Sequence, residues 1–333
     1  MSYVIDIKNT EKETIMKKTL TIILALVLVF ALAACGQTKP AESPAGTETA
    51  GETPNFVFCI SHMSNDWAIT ASDSMEAAAE AAGAKLTVNE AGKDISTQIS
   101  QIESAINQKA DCIIIEPVSA DGVIPAVEQA VAAGIPVIIY NQNISDPSKA
   151  TCFVGVSNED LGYMEMKRAC EDIGGKGNVA ILTGPVGSEG EIGRSAGYKK
   201  ALQEYPDVKV VYEDDGQWTT ENGLKFAENW LQTGTEINAF VCQNDGMAMG
   251  CVKAVEDKNL QDSIKIYGLD AVKDALQAVK DGRLAITVSQ ATEDQSKAAI
   301  ETAMKLFKGE SVESEILAQG IIIDASNVDQ YLK

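Results

Sequence analysis

From residue 56 onward, short apolar segments that end in amide or carboxylate residues alternate with helical patterns. One of them, Ala239–Cys242, stops at Gln243-Asn244-Asp245, and a helical pattern begins at once. Short buried strands separated by helices are typical of parallel sheets covered on both faces. The carboxyl ends of such strands share one edge of the sheet, where open α/β sheets bind small ligands. The alternation therefore predicts an α/β fold with a polar site at its strand ends.

Further apolar segments stop at a polar residue in the same way: 137–140 at Asn141 and Gln142, 266–269 at Asp270, and 285–289 at Gln290. Helical patterns of about four turns between them fit right-handed βαβ crossovers. The 333 residues suffice for two domains, and the second half repeats the scheme of the first. We therefore predict two similar doubly wound parallel-sheet domains with a ligand cleft between them. Three crossings, near Val156, Gln290 and Gln319, are predicted to join them, and a last strand is predicted over residues 316–324.

The N-terminus has the pattern of a secretory signal. Lys17-Lys18 precede an uncharged apolar run over residues 20–34, which is shorter than the about 20 residues of a membrane span. The run ends in Leu-Ala-Ala-Cys, which resembles a bacterial lipobox and implies lipidation of Cys35. The alternative is an ordinary cleaved signal with an incidental cysteine. Met16, directly before the lysine pair, predicts that residues 1–15 are an extension ahead of the natural start.

The predicted organisation has four parts. Residues 1–34 form the signal peptide, and residues 35–54 form the lipidated cysteine and a flexible tether rich in small polar residues and proline. Residues 55–155 plus 291–318 form an N-terminal lobe, and residues 156–290 plus 319–333 form a C-terminal lobe. We therefore expect a globular body outside the cytoplasmic membrane, anchored to it through Cys35.

Composition and motifs exclude several function classes. The chain has 48 acidic against 27 basic residues, a formal net charge of -21, and it lacks the basic stripe that nucleic-acid binding requires. His62 is the single histidine, so neither a Ser-His-Asp triad nor a histidine-rich metal site can be built. The glycine-rich segment 184–193 has neither dinucleotide-loop nor Walker spacing, and is interpreted as a βα turn that approaches a ligand. We predict no enzyme activity, cofactor or metal.

Six cysteines remain after Cys35. Four lie in apolar strand patterns and two in helical patterns: Cys59, Cys112, Cys152 and Cys242 in the former, Cys170 and Cys251 in the latter. Disulfides are one interpretation for an exported chain. Their apolar surroundings favour the other, in which they are buried free thiols that act as small hydrophobic residues.

Three side chains near strand ends suit a sugar-like ligand. Arg194 begins the helical pattern after the glycine-rich turn, and a guanidinium can bridge neighbouring oxygens; a surface arginine is the alternative. Trp67 and Trp218 follow strand ends at matching positions in polar stretches, where an indole can stack on the C–H face of a sugar ring. His62 is predicted either to line the cleft or to lie on its rim.

Residues 55–324 resemble the type I periplasmic solute-binding proteins of ABC importers, in the ribose/galactose-binding branch. Four segments carry the resemblance: 61–67, a ligand loop after the first strand; 193–198, an R-x-x-G-[FY] segment; 243–250, a QND-x-MA-x-G signature; and 267–270, a turn with a ligand-binding Asp. The resemblance implies that the ligand is contacted by Asn65, Trp67, Arg194, Trp218, Asn244, Asp270 and Gln290. It also implies a permease and an ATPase on separate chains, and a monomer.

Two pairs of residues depart from that family's pattern. Asn141-Gln142 stand where ribose-binding members carry Asp-Arg, and both are predicted to contact the ligand. Ser188 and Gly190 stand where galactose-type members carry His and Asp. The resemblance therefore implies a neutral polyhydroxylated ligand, either a pentose, hexose or deoxysugar or a cyclic polyol. The alternative function is a sensor that presents a sugar-like signal to a chemoreceptor or histidine kinase.

Overall fold

The structure is a computed structural model that describes residues 53–332. The predicted signal, the lipidation site Cys35 and most of the predicted tether lie outside the described residues, as does Lys333. Within the described part, no helix is both long and apolar enough to span a membrane.

Strands and helices alternate along the described residues. The strands are β1 (Asn55–Ile60), β2 (Lys85–Glu90), β3 (Cys112–Ile115), β4 (Val137–Asn141), β5 (Cys152–Val156), β6 (Lys176–Thr183), β7 (Asp207–Asp215), β8 (Ala239–Cys242), β9 (Lys265–Asp270), β10 (Ile286–Ser289), β11 (Glu315–Ala318) and β12 (Ile321–Ile323). The α-helices are α1 (Asp66–Ala82), α2 (Ile95–Asn107), α3 (Ile124–Ala132), α4 (Asn158–Asp172), α5 (Glu189–Glu204), α6 (Thr220–Leu231), α7 (Asp245–Asp257), α8 (Lys273–Lys280) and α9 (Thr292–Phe307).

The first sheet has the strand order β11-β5-β4-β3-β1-β2, and its neighbouring strands are parallel. Successive side chains of a strand point to opposite faces. Phe58 accordingly packs in one hydrophobic cluster with Met75 of α1, and Val57 in another with Ile102 of α2. Because both faces are covered, the central strands β1, β3, β4 and β5 are buried along almost their whole length, whereas the edge strands β2 and β11 are partly exposed.

The second sheet has the order β12-β10-β9-β8-β6-β7 and is parallel except for β12, which runs antiparallel to β10. Val241 packs with Met166 of α4, and Phe240 packs with Val252 of α7, so helices cover this sheet on both faces as well. If β11 and β12 are left out, the two sheets have the same strand order, which is β2-β1-β3-β4-β5 in the first sheet and β7-β6-β8-β9-β10 in the second. The predicted fold class is confirmed.

Three segments connect the sheets. The first follows Val156 at the end of β5 and enters α4, the second contains Gln290 between β10 and α9, and the third is Gln319-Gly320 between β11 and β12. Helix α9 returns to the first sheet, where it packs against α1. The crossings therefore lie at the three predicted places.

The prediction of one strand over residues 316–324 is wrong. The segment forms two strands, β11 in the first sheet and β12 in the second, separated by Gln319-Gly320. A Cβ atom on Gly320 would lie 2.1 Å from Cδ2 of Leu161 in α4, so a side chain at this position would require Leu161 to move. The continuous apolar pattern arises because the two short strands follow each other with only two residues between them.

Candidate ligand-binding cleft

A cavity of about 370 Å³, including open solvent at its mouth, lies where strand ends of both sheets meet. All nine side chains predicted to contact the ligand line it: Asn65, Trp67, Asn141, Gln142, Arg194, Trp218, Asn244, Asp270 and Gln290. His62 and Gly190 line it as well. The cavity therefore gathers polar and aromatic side chains from the strand ends of both sheets.

Two asparagines of the cavity also begin helices. Asn65 Oδ1 accepts a hydrogen bond from the backbone N–H of Ala68 at 2.9 Å, and Asn244 Oδ1 accepts one from Met247 N–H at 2.9 Å. These are N-cap hydrogen bonds, and they fix which end of each amide faces the helix. The amide nitrogen of Asn65 remains for the cavity, whereas that of Asn244 donates one N–H to the backbone carbonyl of Trp218 at 3.2 Å and keeps the other. Both asparagines are therefore oriented as hydrogen-bond donors to a ligand.

Arg194 is held in one orientation by groups on neighbouring elements. It is 5 % exposed, its Nε donates to Asn158 Oδ1 at 2.9 Å, and one terminal nitrogen donates to the backbone carbonyl of Gln243. Gln243 is itself fixed, because its Oε1 accepts from Gly184 N–H at 2.9 Å and its Nε2 donates to Ser195 Oγ at 2.9 Å. The remaining N–H groups of the guanidinium therefore face the cavity, and the side chain needs no rearrangement to bind a ligand there.

Two indole rings provide the apolar part of the lining. The Trp218 ring centroid lies 5.3 Å from the Arg194 guanidinium carbon, a cation–π distance that aligns the ring with the arginine. Trp67 is 7 % exposed, and its Nε1–H has no hydrogen-bond partner among the described residues. Because buried indole N–H groups normally have a partner, this one is a donor available to a ligand.

A chain of hydrogen bonds joins the two sheets through the second crossing. Asn141 Nδ2 donates to Gln290 Oε1 at 2.9 Å, and Gln290 Nε2 donates to Asp270 Oδ1. Asn141 ends a strand of the first sheet and Asp270 ends a strand of the second, so Gln290 connects the two walls of the cavity. Its orientation is fixed from both sides, since it accepts from one wall and donates to the other.

Several cavity residues have backbone conformations that L-residues rarely adopt. Asn141 and Trp218 both have φ of 61°, and Asp270 has φ of 138°. Ala291, which follows Gln290 at the second crossing, has φ of 53°. Such strain persists only where the surrounding structure imposes it, and it concentrates at functional sites.

Buried acidic groups surround Arg194. Burial raises the pKa of Asp270, and Arg194 and the hydrogen bond from Gln290 oppose this rise. Burial also raises the pKa of Asp245, and the nearby carboxylate of Asp270 raises it further. Glu165 is fully buried behind them and accepts from the hydroxyl of Tyr198 at 2.6 Å; burial raises its pKa to about 8.

His62 lines the cavity, one of the two positions predicted for it. Its Nδ1 accepts a hydrogen bond from the backbone N–H of Ser64 at 3.2 Å, so Nε2 carries the proton in the neutral ring. Burial, followed by the charge of Lys93, lowers its pKa to about 4. His62 is therefore neutral at physiological pH.

Supporting residues behind the lining were missed by the sequence analysis. Glu116 follows β3 and receives hydrogen bonds from Ser61 and Gln142, Asn158 receives one from Arg194, and Gln295 receives one from Asn141. These residues are buried polar side chains in otherwise apolar or helical segments. A polar residue within an apolar pattern was the signal that could have identified them.

We predict that the ligand-free protein becomes less stable between about pH 6.5 and about pH 8. Burial raises the pKa of Glu116 to about 7 and that of Glu165 to about 8, against an ordinary value of 4.5. Folding therefore favours the protonated forms, and this stabilisation is lost as the pH rises through those values. His62, whose pKa falls from 6.5 to about 4 on folding, changes stability only below this window.

The decrease in the free energy of unfolding should be on the order of 1 kcal/mol per pH unit, measured by urea denaturation. Glu165→Gln removes one of the titrating groups and should flatten the slope. A stability that is constant or rises with pH over this window would contradict the prediction.

Two α/β lobes joined by three crossings, with a polar cavity between them, define the class of two-lobed solute-binding proteins. The chain belongs to the family described as "Periplasmic binding protein domain", whose model matches residues 56–311. Its structural neighbours include solute-binding proteins of ABC transporters that bind sugars or polyols.

Three similar proteins illustrate the family. The xylitol-binding protein of Mycolicibacterium smegmatis is 36% identical over 260 residues, which cover 77% of this chain and 73% of the relative. An ABC transporter solute-binding protein from Bacillus halodurans, with bound myo-inositol, has a TM-score of 0.81 and 30% identity over 85% of this chain and 99% of that one. A periplasmic solute-binding protein from Actinobacillus succinogenes, with bound D-allose, has a TM-score of 0.81 and 31% identity over 84% of this chain and 100% of that one.

Proposed function

We propose that this chain is the extracytoplasmic substrate-binding lipoprotein of an ABC importer. It binds a neutral sugar or cyclic polyol in the cleft between the lobes and delivers it to a membrane permease. The observation that carries the proposal is the cavity itself, in which oriented amides, one arginine, one aspartate and two indoles converge from both sheets. The similar proteins that bind xylitol, myo-inositol and D-allose support this ligand class.

The polar lining accounts for selectivity among hydroxylated rings. Asn65, Asn244 and Arg194 are donors, whereas Asp270 is an acceptor, so each ligand hydroxyl meets a group of fixed polarity. An unmatched polar group costs roughly 1–3 kcal/mol once the cavity is closed. Epimers differ in the direction of one hydroxyl and therefore differ in affinity by about one such penalty.

Ligand binding closes the lobes by bending at the three crossings. The proposed lobes are residues 55–155 plus 291–318 and residues 156–290 plus 319–333. Three parallel connections permit hinge bending but resist independent rotation of the lobes. Because residues from both lobes line the cavity, a ligand gains its full set of contacts only when they are closed.

The proposal includes attachment to the membrane and partners on other chains. Lipidation of Cys35 and the tether after it would keep the binding body close to the permease, and a separate ATPase would drive transport. Mass spectrometry of the N-terminal peptide from the membrane fraction tests the lipidation. Loss of sugar or polyol uptake on deletion of the gene distinguishes import from sensing.

Binding is tested with the body that begins at residue 36, using xylitol, myo-inositol and D-allose. A ligand that binds only the folded state raises its free energy of unfolding by about 2.7 kcal/mol at a hundredfold excess over its Kd. We expect such a shift, together with a change in tryptophan fluorescence, for at least one compound of this class. Absence of any shift across an extended set of monosaccharides and polyols would exclude the proposed ligand class.

A further inference from the structure

Behind the cavity, one buried carboxylate connects two of the loops that form its wall. Glu116 is 0 % exposed and directly follows β3. Its Oε2 accepts a hydrogen bond from the backbone N–H of Ser61 at 2.9 Å, and its Oε1 accepts one from Gln142 Nε2 at 2.8 Å. Ser61 begins the loop that carries His62 and Asn65, whereas Gln142 follows β4. The carboxylate therefore fixes two strand ends relative to each other.

We propose that Glu116 is a positioning residue that makes Gln142 a hydrogen-bond acceptor in the cavity, so that the ligand group meeting Gln142 must be a donor such as a hydroxyl. This inference rests on the proposed function and specifies the polarity of one ligand position. A carboxylate has no hydrogen to donate, so Gln142 must turn its Nε2 towards Glu116. Its carbonyl oxygen, Oε1, is then the end of the amide directed away from Glu116.

The backbone of Glu116 is fixed as well. Gln98, which is 0 % exposed, donates from Nε2 to the carbonyl oxygen of Glu116 at 2.8 Å. The Oε1 atom of Gln98 accepts from Val118 N–H at 2.9 Å, so the same side chain holds the loop on both sides of Pro117. Glu116 consequently has little freedom to turn away from Gln142.

The substitution Glu116→Gln inverts the polarity of this contact. Ser61 N–H requires an acceptor, so the new amide places its oxygen there and its nitrogen towards residue 142. Gln142 must then accept from that nitrogen and turn its own Nε2 towards the cavity. A ligand hydroxyl tolerates both states because it can donate or accept, whereas a fluorine substituent can only accept.

The experiment compares each parent compound with its monodeoxyfluoro analogues by calorimetry. The probes are myo-inositol, D-allose and xylitol, and the proteins are the wild type and Glu116→Gln. The titrations are run at about pH 8.5, where Glu116, whose pKa burial raises to about 7, is ionised. In the wild type, fluorine at the position facing Gln142 should weaken binding about tenfold or more relative to the parent compound.

In Glu116→Gln, the dissociation constant of the analogue with fluorine at that position, divided by that of the parent compound, should fall about tenfold. The parent compound itself should lose little affinity. A purely structural role would weaken parent and analogue alike and leave the ratio unchanged, which would overturn the proposal. Glu90→Gln is the matched control, because Glu90 holds the same loop through the N–H of Met63 at 2.9 Å without contacting Gln142. For Glu90→Gln, the ratio of the dissociation constants of the analogue and the parent compound should equal that of the wild type.

A second variant covers the case in which Glu116→Gln does not fold. Gln142→Ala removes the acceptor, so the penalty for fluorine at the same ligand position should disappear; a penalty that persists there overturns the proposal. If the wild type binds neither these three parent compounds nor any other member of the extended set of monosaccharides and polyols, the proposed ligand class fails instead. Binding of a parent compound with equal tolerance of fluorine at every position contradicts the role of Glu116 alone.

Discussion

Asp270→Ala is expected to abolish ligand binding while the fold remains intact. Asp270 ends β9 and is the carboxylate that lines the cavity, whereas Arg194 is the cation that lines it. Two charge-assisted hydrogen bonds from ligand hydroxyls would contribute roughly 3 kcal/mol, so affinity should fall about a hundredfold or more. Asp270→Asn keeps the shape but not the charge and should lose less.

The same substitution should not destabilise the ligand-free protein. The pKa of Asp270 is raised by burial, which means that its ionised form opposes folding, and its charge also raises the pKa of the buried Asp245. Removing the carboxylate therefore leaves the melting temperature unchanged or raises it. Function-related residues commonly reduce stability in this way.

Calorimetry with the compound identified in the screen measures the affinity, and a thermal melt without ligand measures the stability. Asp214→Ala provides the matched control, because Asp214 is an exposed carboxylate near the end of β7 that does not line the cavity. Its affinity should equal that of the wild type. Wild-type affinity in Asp270→Ala would exclude Asp270 as a ligand contact.

Much of this site was predictable because its residues lie where strands end. The rule that parallel strands direct their carboxyl ends to one edge brings Asn244 and Asp270 together in the second sheet and places Asn141 at the corresponding edge of the first. The order of the strands makes the two lobes alike, and the break near Gln319 was predicted as a crossing. The location of the cavity thus follows from the alternation of strands and helices together with its repetition in the two halves of the chain.

The orientation of the side chains was not predictable. Gln142 and Glu116 are 26 residues apart, and Ser61 and Glu116 are 55 residues apart, so their hydrogen bonds depend on how complete strands pack. The place of Glu116 directly after an apolar strand could have indicated that it is buried, but not which groups it contacts. The local sequence therefore indicates which side chains lie at the cavity. Whether such a side chain donates or accepts a hydrogen bond there depends on residues far away in the sequence.

The R-x-x-G-[FY] segment of α5 contains both a residue that lines the cavity and residues that make long-range packing contacts. Arg194 reaches the cavity, Tyr198 donates to the buried Glu165, and Gly197 between them lies against α4. A Cβ atom at Gly197 would be 2.1 Å from the carbonyl oxygen of Glu159 and 2.4 Å from the nitrogen of Tyr163. Both are backbone atoms of α4, so neither can move without separating the helices.

Gly197→Ala is accordingly expected to reduce the free energy of unfolding by about 3 kcal/mol. It should also weaken ligand binding, because a displaced α4 carries Asn158, the residue that holds the Nε of Arg194. Urea denaturation measures the first effect and calorimetry the second. Gly190→Ala in the same helix is the matched control: the nearest atom to its Cβ is 3.7 Å away, on the side chain of Trp218, so stability should be unchanged.

Equal stability of the two alanine variants would mean that α4 and α5 can separate at little cost. A lower stability of Gly197→Ala than of Gly190→Ala would instead mean that the R-x-x-G-[FY] segment needs glycine at this position for the close contact of α4 and α5. The same reasoning applies to the QND-x-MA-x-G segment, where a Cβ atom at Gly250 of α7 would lie 2.3 Å from the carbonyl oxygen of Thr220. In both segments a residue that lines the cavity is followed by a glycine at a helix contact. Arg194 does not begin its helix, as the sequence pattern predicted, but lies inside α5, which starts at Glu189. Each sequence motif therefore specifies a side chain together with the close packing that holds it in place.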